Sequence, residues 1–76
     1  MVMRNRTRLR DLREDCGLTQ QQMAELIGTT FQYYQKYESG VRPIPVERLE
    51  IFADFYHTST DYILGRTDVR RPYPQR

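Results

Sequence analysis

The sequence predicts an all-α domain of five helices, and three observations carry that prediction. Apolar residues recur at intervals of three and four along most of the chain, as in Met23, Ala24 and Ile27, or Val46, Leu49, Phe52, Ala53 and Tyr56. No stretch shows the strict apolar–polar alternation of a half-buried strand. The periodic runs are punctuated: Gly17, Gly28, Gly40 and Gly65 stand where runs stop, and hydroxyl residues stand where the next ones begin.

Taken in order, the first helix is expected from about Asn5 to Asp15, with Leu9, Leu12 and Cys16 on one face and Gly17 as its stop. Thr19 then offers an N-cap, and Gln22 three residues on completes a capping box. Met23, Ala24 and Ile27 give the second helix its buried stripe, and Gly28 takes the positive φ of the turn without penalty. Thr30 caps the third helix, which continues to about Glu38 with Tyr34 and Tyr37 inward and Ser39-Gly40 closing it. Val41 to Pro45 form a stiff connector, since each residue before a proline is pushed to extended conformations. Pro45 suits the first position of a fourth helix running to about Tyr56. Ser59 or Thr60 caps a short fifth helix through Leu64, ended by Gly65. The division expected is a basic arm at 1–6, the folded domain at 7–66, and a basic, mobile tail at 67–76.

Seventy-six residues make one domain, and a chain of this length buries only ~60% of its unfolded surface. Cys16 is the single cysteine, so no intramolecular disulfide forms and a reducing compartment, the bacterial cytoplasm, is expected. No secretory signal or membrane span is evident, because the basic start has no apolar run behind it. The net charge of +2 is small, but its distribution is uneven. Arg4, Arg6, Arg8, Arg10 and Arg13 crowd the start, Arg66, Arg70, Arg71 and Arg76 the end, and acidic residues fill the middle. The basic ends are either a solvated surface or phosphate-contacting groups, whose binding is salt-sensitive and blind to sequence.

Residues 19 to 40 have the spacing of a helix-turn-helix, in which the second helix of a pair enters the major groove of DNA. Ala24 supplies the small residue a steep crossing needs; Met23 and Ile27 anchor one side, Tyr34 and Tyr37 the other. With the tyrosines inward, the step of roughly 100° per residue points Gln32 and Lys36 outward, flanked by Phe31, Tyr33, Gln35 and Ser39. Gln32 has the donor and acceptor to pair with adenine N6 and N7, and Lys36 can donate to guanine O6 or N7. Phe31 offers apolar contact to a thymine methyl, or folds back onto the second helix.

Leu18-Thr19-Gln20 through Ala24, then Gly28, then Tyr37-Glu38-Ser39-Gly40, and the ending Asp61-Tyr62-Ile63-Leu64-Gly65-Arg66-Thr67-Asp68 resemble the helix-turn-helix domains of the lambda repressor/Cro type, the xenobiotic-response-element family. The resemblance spans about residues 7 to 68. It implies a five-helix, lambda repressor-like DNA-binding domain, usually dimeric, in a transcription regulator. By position, it assigns Phe31, Gln32, Tyr33 and Lys36 to base contacts, and Gln20, Thr30, Ser39 and Arg42 to the phosphate backbone. It also makes Arg13 and Glu38 a structural ion pair between the first and third helices. The chain departs from the pattern at Tyr34, where Val or Ile is more usual, at Leu26, where a charged residue is usual, and at Cys16, a position that is commonly polar.

On the fourth helix Ile51 and Phe55 lie opposite the core arc, one turn apart, and exposed apolar pairs mark a partner surface. With Tyr62, and Arg48 at the rim, they form an expected homodimer seam; the tail from Val69 to Tyr73 folding over the same patch is the alternative. The function expected is a sequence-specific repressor that binds a palindromic operator on double-stranded DNA as a homodimer. The other reading keeps the fold and makes it an antitoxin or protein-interaction module, for which exposed Leu26, Ile51 and Phe55 are suited. Catalysis is not expected: His57 is the single histidine, Cys16 has no evident base beside it, and neither a phosphate loop nor metal-ligand spacing occurs. No cofactor, no metal and no membrane are expected.

Overall fold

The computed structural model describes residues 7–71. Five helices follow one another: α1 (Leu9–Asp15), α2 (Gln20–Leu26), α3 (Phe31–Ser39), α4 (Val46–Tyr56) and α5 (Thr60–Ile63), with no strand among the described residues. Asn5, the expected start of the first helix, lies outside them.

One core joins all five helices. Leu9 and Leu12 of α1, Met23 and Ala24 of α2, Tyr34 and Tyr37 of α3, Leu49, Phe52, Ala53 and Tyr56 of α4, and Ile63 of α5 are all buried. Leu18, Ile27, Ile44 and Tyr62 pack against its margin. Two aromatic contacts stitch the layers: Tyr34 meets Phe52 edge to face at 5.9 Å, and the Tyr56 hydroxyl donates to the Met23 sulfur at 3.2 Å. Such edge-on ring pairs add about 1 kcal/mol beyond the area they bury.

The helix punctuation works locally as the residue types dictate. Ser59 is the cap of α5, accepting from the Tyr62 N–H at 3.0 Å. Pro45, expected as a first helical residue, is instead the extended N-cap of α4, with φ −60° and ψ 150°. The fourth helix ends on His57, a non-glycine residue at φ 57°.

Two residues assigned to buried faces are on the surface. Val46 is 65% exposed, because the first turn of α4 projects past the core before Leu49 reaches it. Cys16 is exposed, since α1 stops at Asp15 and the chain turns away through Gly17. The segment after α5 is fastened to the body as far as it is described. Arg8 donates to the Tyr62 and Thr67 carbonyls at 3.0 and 2.5 Å and pairs with Asp68 at 2.6 Å. Thr58 Oγ1 also donates to the Arg70 carbonyl.

Candidate nucleic-acid interface

The geometry of α2 and α3 is set by three small devices. Thr19 Oγ1 accepts from the Gln22 N–H at 3.1 Å while Gln22 Oε1 accepts from the Thr19 N–H at 2.8 Å, so two otherwise unpaired amides are satisfied reciprocally. At the far end Gly28 takes φ 70°, and the Gly28 and Thr29 amides close back onto the Glu25 and Ala24 carbonyls. A Cβ at Gly28 would meet nothing within 4 Å, so the backbone angle, not space, calls for glycine there. Thr30 Oγ1 then accepts from the Tyr33 N–H at 3.1 Å and starts α3.

Below these helices sits a polar hub. Arg13 donates through Nε to Glu38 Oε2 at 2.6 Å and through Nη2 to Oε1 at 3.3 Å, and its Nη1 donates to the Leu18 carbonyl at 2.8 Å. Gln20 Nε2 donates to Glu38 Oε1 at 3.0 Å, and Gln35 Nε2 donates to Gln20 Oε1 at 3.2 Å. The Arg13 and Glu38 side chains are only 12% and 5% exposed. Burial by itself pushes the Glu38 carboxyl up, but the hydrogen bonds of Arg13 and Gln20, with the nearby Tyr34 hydroxyl, more than offset that and hold it below the usual carboxylate range. The Tyr34 hydroxyl is buried and closes no hydrogen bond of normal geometry among the described residues. Burial first, and the neighbouring carboxylate second, push that phenol far above its ordinary range.

One consequence concerns charge. The third helix carries two charged residues, Lys36 and Glu38. Because Glu38 turns inward and is compensated by Arg13, Lys36 is the uncompensated charge on the exposed side of that helix.

Above the hub lies an open cleft of about 650 Å³, lined by Arg10, Arg13, Gln20, Gln32, Gln35, Lys36, Glu38 and Ser39. It gathers four of the expected contact residues, Gln20, Gln32, Lys36 and Ser39, on one side of the molecule. Its lining is cationic and amide-rich. Those groups suit phosphate oxygens and base edges, which accept and donate hydrogen bonds in the same plane.

A helix-turn-helix family model matches residues 9–63, covering all five helices. The chain belongs to the helix-turn-helix family. Its relatives include an uncharacterized HTH-type transcriptional regulator, YobD, of Bacillus subtilis, 44% identical over 91% of this chain and 62% of that protein. The HTH-type transcriptional regulator AnsR of the same organism is 37% identical over 93% of this chain and 61% of its own length. The cryptic phage CTXphi transcriptional repressor RstR of Vibrio cholerae is 39% identical over 84% and 57%. The chain thus spans about three fifths of the length of these relatives. No solved structure matches it significantly.

Within this helix-turn-helix, the remaining expected contact residues, Thr30, Phe31, Tyr33 and Arg42, do not line the cleft. Phe31 is exposed on the first turn of α3 and Thr30 spends its oxygen on the cap, leaving the hydroxyl proton to donate. Tyr33 is half-buried: its ring meets Tyr37 edge to face at 5.4 Å and lies 5.6 Å from Lys36 Nζ, so it steadies the lysine. Ser39 Oγ donates to the Lys36 carbonyl at 3.3 Å. Arg42 is exposed but lines a separate, more apolar groove with Pro43, Ile44, Val46 and Leu64.

At the expected seam, Ile51 and Phe55 are 40% and 48% exposed. Tyr62 is engaged within the domain, packed on the core margin with the Arg8 guanidinium 4.3 Å above its ring. Arg48, expected at the rim, donates to the Tyr37 hydroxyl at 2.8 Å. Sequence reasoning missed Gln35 and Arg10 as lining residues of the cleft. The placement of Gln35 on the flank of the outward row was the available signal for it. No helix among the described residues is long and apolar enough to cross a membrane.

Proposed function

We propose that this domain binds double-stranded DNA, with α3 in the major groove, and that it regulates transcription as a homodimer on a palindromic operator. The observation that carries the reading is the placement of Gln32 and Lys36 on one exposed cleft while Glu38 is withdrawn into the Arg13 pair. Gln32 offers adenine two hydrogen bonds and Lys36 offers guanine one or more. Gln20, Thr30, Ser39 and Arg42 take the phosphates, and Phe31 and Tyr33 meet the bases beside Gln32. The names of the relatives, regulators in each case and a repressor in one, favour control of transcription. Repression is the sign we favour, since occluding a promoter requires only a bound domain.

A second copy supplies what one lysine per recognition helix does not. Two domains joined through Ile51 and Phe55, with Tyr62 at the margin, place two recognition helices one DNA turn, ~34 Å, apart. That doubles the phosphate contacts and imposes an inverted repeat. An electrophoretic shift assay against the DNA upstream of its own gene and against random DNA tests the reading. Preference for the upstream DNA that persists as salt rises supports it. Equal affinity across salt concentrations contradicts it and leaves the same fold as an antitoxin or protein-interaction module, for which exposed Leu26, Ile51 and Phe55 are the docking residues.

A further inference from the structure

The hub does more than tie α1 to α3, because its innermost group has only one hydrogen-bonding sense. An ionised carboxylate accepts and never donates. Glu38 is held on one side by Arg13, a donor only, so the amide that binds it on the other side must present N–H. Gln20 therefore turns Nε2 inward at 3.0 Å and its carbonyl oxygen outward. That oxygen in turn admits only a donor, and Gln35 meets it with Nε2 at 3.2 Å. A glutamine amide ordinarily has two nearly isosteric orientations. Flipping either of these would set two like groups face to face, so the buried charge dictates the orientation of an exposed side chain two links away.

Gln35 stands on the cleft wall beside Gln32 and Lys36. With one N–H given to Gln20 it retains its carbonyl oxygen and a second N–H. An amide oxygen and N–H of this kind complement the N6–H donor and N7 acceptor that adenine shows in the major groove. Gln32 carries no side-chain hydrogen bond among the described residues, so its amide is not oriented in this way.

We propose that Gln35 is a specificity-determining residue of this interface, pre-oriented for adenine by the relay through Gln20 to Glu38. The proposal rests on the DNA-binding reading above and adds to it a second adenine-reading position with its orienting residues.

Selection from randomised duplex DNA, run with the full chain and with Q35A and Q20M, tests it. Gln35 is exposed, so Q35A leaves the fold intact; melting followed by circular dichroism confirms this for both variants, and Q20L replaces Q20M should the latter unfold. The expected result is that both substitutions flatten an adenine preference at the same half-site position, by about tenfold, as loss of a bidentate base contact does. A purely structural role for Gln20 lowers affinity for all sequences equally and leaves that preference intact. An unchanged preference in Q35A overturns the proposal, as does a preference lost in Q35A and kept in Q20M or Q20L. If the wild-type chain enriches no sequence, the DNA-binding reading itself falls and takes the proposal with it.

Discussion

Arg13 and Glu38, twenty-five residues apart in sequence, meet through two hydrogen bonds at 2.6 and 3.3 Å and join α1 to α3. The pair is mostly withdrawn from water. Its two charges have each lost hydration, and each depends on the other for compensation.

Arg13→Ala leaves the Glu38 carboxylate buried with only Gln20 as a direct donor. We expect a loss of about 3 kcal/mol, the low end for breaking a buried pair. For a domain of this size each kcal/mol lowers Tm by roughly 4–8 °C. Thermal melting is the check, and a drop of only a degree or two would show that the pair contributes little.

The same carboxylate sets an acid limit. Its pKa is held below the ordinary value of about 4.3. A group depressed in the folded state stabilises fully above its unfolded pKa, and that stabilisation fades as pH falls toward the folded value. Wild type should therefore lose stability below about pH 4.3 more steeply than Glu38→Gln, whose amide does not titrate. Melting curves at pH 7 and pH 3 should show the gap between the two proteins narrowing in acid. A gap that widens in acid contradicts the assignment.

His57 closes α4 with φ 57°, the left-handed region that costs an L residue energy and glycine none. His57→Gly should raise stability by roughly 0.5 kcal/mol, the relief of strain exceeding the entropy glycine adds to the unfolded chain. Urea unfolding resolves that increment as a rise in midpoint at unchanged slope. A fall in midpoint would mean that the imidazole contributes contacts beyond the turn.

Helix boundaries were legible because their signals are local. The Thr19–Gln22 box, the Gly28 turn and the Thr30 cap each depend on residues within a few positions. Periodicity found the core but overreached at Val46, which keeps the helical phase of Leu49 yet lies beyond the surface it should cover. Family likeness supplied the Arg13–Glu38 pair; the extension through Gln20 to Gln35 depends on a crossing that no sequence interval encodes. The fastening of residues after Arg66 was equally hidden, since Arg8 reaches its acceptors across more than fifty positions.

That fastening has its own prediction. Arg8→Ala removes the donors to the Tyr62 and Thr67 carbonyls together with the pairing to Asp68. Amide exchange of Val69 should quicken while the amides of α4 keep their protection, because exposed tail contacts open locally. Uniform loss of protection would instead make Arg8 part of the global core.

The seam predicts that wild type scatters light as a dimer and Phe55→Asp as a monomer, since a buried charge in an apolar contact costs several kcal/mol. A dimer that survives the substitution moves the interface elsewhere.

Selection from randomised duplex DNA with the wild-type chain, repeated with Gln32→Ala and Lys36→Ala, tests the central claim most directly. The account predicts enrichment of an inverted repeat with half-sites one helical turn apart, and loss of the preferred base at distinct half-site positions in each variant. Failure of the wild type to enrich any sequence, or enrichment that neither substitution alters, would contradict it.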